Sequence, residues 1–347
     1  MAFDRKMELF IGVFKDAAKA YVGTEAKLKQ EGYLIDGTDS NGNSLHYEFE
    51  ITQSTEFYKN AATFTIYNPN DDTIQEIMTR GCSVIFRAGY SDEDMATIFV
   101  GQIAMAYPED DGAETTKLVL VCKSQRGAQY PLQRTYITSF VEEGKTYYDV
   151  AKAIADYVGV ALTGAERLKK HTLDAGYIIN GNIRDEMQNF TERKLRAIGG
   201  HMIVSNNEMI YYEDGAIDFT TVQLNYRTGL IKATAVRDET YQSSEDAFNE
   251  NMEYYLGLSP EMAKDKEKEA KVQPKNEVDF ECILHPGLHV LTPIYIDARK
   301  NKDDHISVLG EFYIRELHYT GGNFAGSQYN ITGRAREYTI GEKLTGK

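Results

Sequence analysis

The chain has no tryptophan, only 3 cysteines and 7 prolines among 347 residues, and a marked deficit of positive charge. Each shortage excludes something. Cys82, Cys122 and Cys282 lie far apart, so their spacing fits neither a disulfide framework nor a zinc site, and buried thiols in a reducing compartment are the default. Tyrosine is abundant at 24, but the absence of tryptophan weakens a sugar-stacking reading. With 38 basic against 53 acidic side chains, the formal net charge of −15 repels nucleic-acid phosphate and anionic lipid. Specific nucleic-acid binding and membrane insertion are therefore not expected. The acid confers solubility, and it also suits a wall that DNA slides past without sticking. No apolar run approaches spanning length, and Met1-Ala2-Phe3-Asp4-Arg5-Lys6 leads into no signal-peptide core, so assembly in a cytoplasm is expected.

What is present is mostly strand text. In Asn60–Asn70, Ala62, Phe64 and Ile66 fall on one face at period two, with Thr63, Thr65 and Tyr67 on the other. Asn68-Pro69-Asn70 ends that strand, since proline cannot donate to a ladder. Tyr47, Phe49 and Ile51 alternate before it. A short helix carrying Ile74, Ile77 and Met78 on one side follows it, and then strands through Val84–Ala88, Ile98–Met105 and Lys117–Cys122, the last two joined by a turn at Asp110-Asp111-Gly112. The first 30 or so residues read two ways: helical spacing from Leu9 to Tyr21, which Gly12 weakens, or a strand over Leu9–Val13. Asp39–Asn43 reads as a tight turn.

The period then changes. Thr146 with Asp149 resembles a capping box, opening a helix lined by Tyr147, Val150, Ala151, Ile154, Ala155 and Val158 that Gly159 ends. A second helix spans Ile183–Ile198, stopped by Gly199-Gly200, and a hairpin turns at Asn206-Asn207. Gln242–Lys275 is polar and charged, either a solvated helix or a loop. Strand patterning returns at Phe280, Cys282 and Leu284, turns at Pro286-Gly287, and continues through Val290–Ile296. Phe312–Tyr319 is followed by a glycine turn at Gly321-Gly322-Asn323 and a last strand at Tyr329–Gly333. The expected fold is mainly β with α+β: two small β-barrel-like domains flanking an α+β module. The expected segments are an N-terminal extension 1–35, a first β domain 36–125, the α+β module 126–225, and a second β domain 226–347 with a polar insertion near 242–275. No strict sequence repeat links the two β parts.

Four stretches resemble the baseplate hub family of contractile phage tails. They are Ala62–Pro69 with the helix Asp71–Met78; Val84–Tyr90 followed by Ile98–Ile103; Tyr226–Ile231; and Leu284–Gly287 followed by Gly310–Tyr319 and Gly321-Gly322. They occur in the family's order over most of the chain. Pro69 departs from the family's usual Leu, and neither the N-terminal stretch nor Gln242–Lys275 has a counterpart. The resemblance implies a ring-forming homotrimer in the virion baseplate, whose two barrel-like domains per subunit mimic the sixfold symmetry of tail-tube rings. It also implies contacts to the tail tube protein, the spike, baseplate wedge proteins and the tape measure protein, and passage of DNA.

Catalytic readings fare poorly. His285 and His289 stand at i and i+4, but Pro286-Gly287 breaks any helix between them, so a turn between strands is the reading. Glu109-Asp110-Asp111 and Glu142-Glu143 adjoin Gly112 and Gly144 in turn-like text, unlike an acid–base pair held in two environments. No Gly-x-Ser-x-Gly elbow or phosphate loop occurs. No catalytic residue, metal or cofactor is expected. The rival readings are a tail-tip cell-wall hydrolase and a glycan-binding tail protein. Among 24 tyrosines, Tyr211, Tyr212, Tyr254 and Tyr255 are candidate interface residues, since tyrosine buries apolar area behind a polar tip, the alternative being that they pack on their own domain. Glu109, Asp110 and Asp111 are candidate acids for a ring lumen.

Overall fold

The computed structural model describes residues 6–12, 32–36, 45–55, 59–80, 83–90, 95–110, 112, 115–124, 136–205, 208–213, 221–236, 277–285, 287–299, 308–324 and 330–337. The expected turn at Asp39–Asn43, the polar stretch Gln242–Lys275, Cys82 and Tyr329 lie outside them.

The fold is mostly antiparallel β. In the first β unit, β1 (Lys6–Gly12), β2 (Gly32–Asp36), β3 (Tyr47–Ser54), β4 (Ala61–Tyr67), β5 (Ser83–Gly89), β6 (Ala96–Asp110) and β7 (Thr116–Lys123) hydrogen-bond in the order β3-β4-β7-β6-β5-β1-β2. Four steps separate β3 from β5, which is about 19 Å across a flat sheet. The rings of Phe49 and Phe86 nevertheless meet at 4.5 Å, and Phe64 lies 5.6 Å from Phe86. The sheet is therefore curled around these aromatics, as the alternation of Tyr47, Phe49, Ile51 and Ala62, Phe64, Ile66 requires.

Strand β1 resolves the ambiguity at the N-terminus in favour of extended chain. Residues 6–12 pair with β5 along one edge and β2 along the other, Leu9 and Ile11 are buried on one face and Phe10 on the other, and Leu9 and Phe10 belong to a strand, not to the helix that their spacing also allowed. Between β4 and β5, Asn68 takes a left-handed conformation (φ 52) that asparagine tolerates, and Asn70 caps the helix α1 (Asp71–Arg80) through Thr73 N at 2.8 Å. Ile77 of α1 is buried. Met78 points outward instead, one residue beyond the packed stripe.

The middle residues have a core of their own, from Ile137 to Tyr211. The two-stranded ribbon β8 (Tyr136–Val141) with β10 (Tyr177–Asn182), and a three-stranded sheet of β9 (Ala161–Thr163), β11 (Gly200–Ser205) and β12 (Glu208–Glu213), accompany two helices, α2 (Tyr147–Val158) and α3 (Ile183–Phe190). The capping box forms: Thr146 N donates to Asp149 Oδ2 at 2.7 Å, which holds that carboxyl below its ordinary range. Gly159 ends α2 in the left-handed region. The single helix expected over 183–198 is instead α3, a wider π turn at Thr191–Leu195 and a 3₁₀ turn at Arg196–Ile198 before Gly199.

The second β unit contains β13 (Val222–Asn225), β14 (Leu230–Val236), β15 (Glu277–Ile283), β16 (Pro293–Asp297), β17 (Leu309–Gly322) and β18 (Asn330–Glu337), hydrogen-bonded in the order β14-β15-β18-β17-β16-β13. The expected strand from Val290 starts only at Pro293. Leu291 sits at φ 72 and donates to Ile314 O, a turn that re-aims the chain. Gly321-Gly322 is not a turn. These glycines continue β17 and pair with Phe49 and Glu48 of β3, and Asn323 closes the corner by accepting from Tyr47 N at 2.8 Å.

That last pairing joins the two units. One edge of β17 serves two neighbours: residues 309–313 pair with β16, and residues 316–322 pair with β3. A single hydrogen-bonded path thus runs through both units, and one apolar cluster spans Met7 to Ala335.

Candidate functional site

The sequence shows no repeat between the β parts, but the topology does. Strands β3-β4-β7-β6-β5 and β14-β15-β18-β17-β16 occupy the same order with the same chain sequence, and all their ladders are antiparallel. In each, one long strand (β6 or β17) is bulged against the strand that follows it in the chain, between Ile103 and Met105 or between Ile314 and Glu316, and β6 carries a further bulge at Ile98 against β5. Carried across the ladders from those bulges, the registers superpose Phe64 on Phe280: each is two strands away from the bulged strand, facing Leu120 or Gly333. Ala62 then matches Val278 and Ile66 matches Cys282, all buried. The last neighbours differ, since β1 runs antiparallel to β5 whereas β13 runs parallel to β16.

The junction of the units is polar and enclosed. Gln53 donates from Nε2 to Ile98 O at 2.6 Å, and Tyr319 Oη donates to Leu288 O at 2.6 Å and lies 3.5 Å from Gln53 Oε1. Burial pushes the Tyr319 hydroxyl well above its ordinary pKa. These groups come from four segments, so no local sequence pattern announces the network. The middle module is tied to the first unit by Asn60, whose Nδ2 donates to Val204 O at 2.6 Å, and to the second by Ile203, Ile210 and Tyr212 packed on Val290, Leu291 and Tyr313.

Of the candidate interface tyrosines, Tyr211 is 3% exposed within the module's core and donates to Glu213 Oε1 at 3.0 Å. Tyr212 stacks on His201 at 5.1 Å and joins the contact with the second unit. Tyr254 and Tyr255 lie outside the described residues. Glu109 and Asp110 are exposed at the far end of β6, while Asp111 is outside the described residues. Glu142 and Glu143 are exposed beside Gly144, whose φ of 78 marks the turn.

His285 and His289 sit in the loop after β15, where His285 Nδ1 accepts from Gly287 N at 3.2 Å. His289 is half-buried, its Nδ1 is out of reach of solvent and meets no hydrogen-bond partner among the described residues, and desolvation pulls its pKa down to about 4. Cys122 and Cys282 are buried free thiols, with Cys282 pushed up to about 12. Among the described residues no group of three or more His, Cys, Asp or Glu is placed to hold a metal ion, and no helix is long and apolar enough to cross a membrane.

Two open grooves lie among the described residues. One, of about 540 Å³, runs over the outer face of the second unit, where Asp279 is paired with Arg334 at 2.8 Å and Glu316 faces His318 at 3.2 Å. The other, about 660 Å³, lies between Tyr90 of the first unit and the Tyr226–Ile231 and Ile283–His285 segments of the second. Sequence reasoning missed the outer face of the β8–β10 ribbon. There Phe140 and Ile178 stand opposite each other, 60% and 69% exposed, with Tyr136 nearby and the Tyr157 hydroxyl bonded to Tyr136 O. The signal was available: Tyr136 and Phe140 alternate with buried Ile137 and Val141, so both faces of the strand are apolar.

The fold is similar to that of two phage tail proteins of known structure. The chain is similar to the tail protein from Neisseria meningitidis MC58, at 10% identity and TM-score 0.57 over 98% of both chains. It is also similar to the 43 kDa tail protein of prophage MuSo2 from Shewanella oneidensis, at 10% identity and TM-score 0.56 over 96% of this chain and 98% of the other. A chain of the Francisella PdpA–VgrG complex is similar at 9% identity and TM-score 0.55, over 97% of this chain and 53% of that one. No family model and no curated protein matches at the level of sequence.

Proposed function

We propose that the protein is a structural baseplate hub of a contractile phage tail or related injection system, acting through geometry and not through catalysis. The observation that carries this reading is the repeated strand order: one chain contains two equivalent sheet units already joined edge to edge. Three such chains closing into a ring supply six equivalent units, the number needed to meet a sixfold tube. The shared fold with two tail proteins supports the same assignment. On this reading the units act as barrel-like domains. The hub binds the tail tube protein on one side and the spike on the other, with wedge proteins outside and the tape measure protein and DNA in the lumen.

Closed rings of this kind bury more than about 2,000 Å² per interface when the assembly is obligate. Tyr212, with Tyr254 and Tyr255, belongs to the contact surface in this proposal, and Tyr211 backs it from inside the module. The lumen wall is the face of the sheet turned away from the core, where Glu48, Glu50 and Glu109 are exposed. Acid there repels DNA phosphate and keeps a passing strand from adhering.

Light scattering on the pure protein, with electron-microscope class averages, tests the proposal. The expected result is a mass near three chains and a threefold annulus with an open centre. A monomer at all accessible concentrations, or an assembly without a central opening, would overturn it.

A further inference from the structure

The outer face of the β8–β10 ribbon is apolar where a surface sheet is ordinarily polar. Side chains alternate between the faces of its two strands. Ile137, Val141 and Ile179 point inward and join the core of the middle module. Phe140 and Ile178 point outward as a directly opposed pair, and Tyr136 lies further along the same face. Tyr157 of α2, half exposed, extends the apolar surface at that end by donating its hydroxyl to the Tyr136 carbonyl. Between the two ends, Thr138 Oγ1 donates to Asn180 Oδ1 at 3.1 Å, so the polar pair on this face is satisfied within itself.

The aromatic is fixed in place. A Cβ at Gly176 would fall 2.5 Å from Phe140 Cζ, so the ring lies against the backbone just before β10, an approach that only glycine permits. A partner that meets a ring already held by packing loses little rotamer freedom in doing so. An exposed aromatic and an exposed isoleucine side by side have the composition of a contact's centre, not of a solvated surface.

Charge selects the occupant. Glu142 continues the outward row of β8 beyond Phe140, Glu143 follows it, and Asp174 precedes Gly176 on the facing segment. All three are exposed, and none forms an ion pair among the described residues. The cation nearest them in the chain, Lys145, acts on Asp149 at the start of α2, and Asp156 beside Tyr157 is already paired with Lys152 at 3.2 Å. Two copies docked on this face about a twofold axis would bring like charges together, and an anionic lipid surface is repelled. A cation is attracted, and it gains further over the open face of the Phe140 ring.

We propose that the outer face of the β8–β10 ribbon docks a segment of another protein that presents apolar side chains flanked by lysine or arginine. The apolar side chains settle on Phe140, Ile178 and Tyr136, and the cations meet Glu142, Glu143 and Asp174. The site lies wholly within the middle module, so it goes beyond the hub reading and exists on a single chain whether or not chains close into a ring. Binding has two separable parts: an apolar part, and a charge part that weakens as salt rises.

The test uses the full chain and a short fluorescent helical peptide with leucine along one face and lysine along the other. A second peptide carries glutamate in place of each lysine. Fluorescence anisotropy is expected to show saturable binding of the lysine peptide alone. Phe140→Ser with Ile178→Ser is expected to weaken it about tenfold or more, and Glu142→Gln with Glu143→Gln several-fold at low salt. Asp71→Asn with Asp72→Asn, on the exposed start of α1, leaves it unchanged. Equal affinity in every variant means that the peptide follows the chain's overall charge, and overturns the site. Equal binding of the glutamate peptide, or binding of neither peptide, overturns it too. Phosphatidylglycerol vesicles that bind the parent chain but not Phe140→Ser make the occupant a membrane, and self-association that Phe140→Ser abolishes makes it a second copy; either result overturns the proposal. Both double variants are expected to keep the parent's thermal transition, because these side chains are exposed. A clear fall with Phe140→Ser shows a face covered within the chain, and overturns the proposal as well.

Discussion

Asn60 and Val204 are 144 positions apart, yet Asn60 Nδ2 donates to the Val204 carbonyl at 2.6 Å in a buried site. The same asparagine accepts from Ser54 N at 2.6 Å through Oδ1. One side chain therefore closes the end of the β3–β4 hairpin and ties it to β11 of the middle module. That bond fixes where the module stands relative to the sheet, and in the proposed hub it decides which surface the module shows to its neighbours.

Asn60→Ala leaves Ser54 N and Val204 O buried without this partner. The expected loss is about 2–3 kcal/mol, read as a lower urea midpoint. Asn60→Asp keeps the acceptor for Ser54 but sets a carboxylate against the Val204 carbonyl, and is expected to be at least as damaging. A change under about 0.5 kcal/mol for Asn60→Ala, within the range of an ordinary surface substitution, would mean that the module is held by its apolar contact alone.

The second prediction concerns alkaline pH. Cys122 and Cys282 are buried and uncharged, with thiol pKa values raised above the ordinary value near 9 by desolvation. A raised folded-state pKa contributes stability that is complete below the unfolded pKa and is lost above it, because the unfolded chain gives up its proton first. Stability is therefore expected to fall from pH 9 upward, by about 2–3 kcal/mol at pH 10 from the two thiols together. Urea midpoints in reductant at pH 8 and pH 10 measure it. Cys122→Ala lowers stability at both values but halves the difference between them.

How much of this was visible in the sequence depends on the range over which each feature is encoded. Tyr47, Phe49, Ile51 and Ala62, Phe64, Ile66 announce their strands because period-two burial is local, and Thr146, Asp149 and Gly159 announce α2 because caps are local. Gly321-Gly322 misled, because glycine's freedom in turns is a tendency and here β3 holds both residues extended. Leu9–Gly12 was ambiguous because burial on both faces erases the alternation. The repeat escaped notice for a further reason. Phe64 and Phe280 occupy one position in two units, but the residues around them differ, and only the ladders show the equivalence. The candidate docking face is least legible of all, since which of the two apolar faces of β8 stays open is decided by what packs over the other, where Ile137 and Val141 join the module's core.

An acid-side effect comes from His289. The folded ring resists protonation until about pH 4, whereas the unfolded imidazole takes up its proton near 6.5. A lowered folded pKa contributes stability that is present above the unfolded value and lost as pH falls toward the folded one. Between pH 6.5 and 4 the parent chain is expected to lose on the order of 3 kcal/mol that His289→Gln does not. Unfolding midpoints of the two proteins at pH 7 and pH 4.5 provide the comparison. Parallel behaviour would show that the ring reaches solvent or a partner in solution.

The junction of the two β units provides the last prediction. Tyr319 has one hydroxyl proton and two acceptors within reach, Leu288 O at 2.6 Å and Gln53 Oε1 at 3.5 Å. The shorter contact takes the proton, since a hydrogen bond at 3.5 Å is marginal. Tyr319→Phe therefore strands the Leu288 carbonyl, with an expected cost of about 1–3 kcal/mol. Gln53→Leu removes the donor to Ile98 O and is expected to cost a similar amount by a separate route. If the two side chains act through different carbonyls, their effects add, and the double variant departs from the sum by less than about 0.5 kcal/mol. A coupling above about 1 kcal/mol would show that Gln53 and Tyr319 act as one unit across the joint, so that loosening either strand loosens both. Denaturant midpoints of the two single variants, the double variant and the parent chain decide between these outcomes.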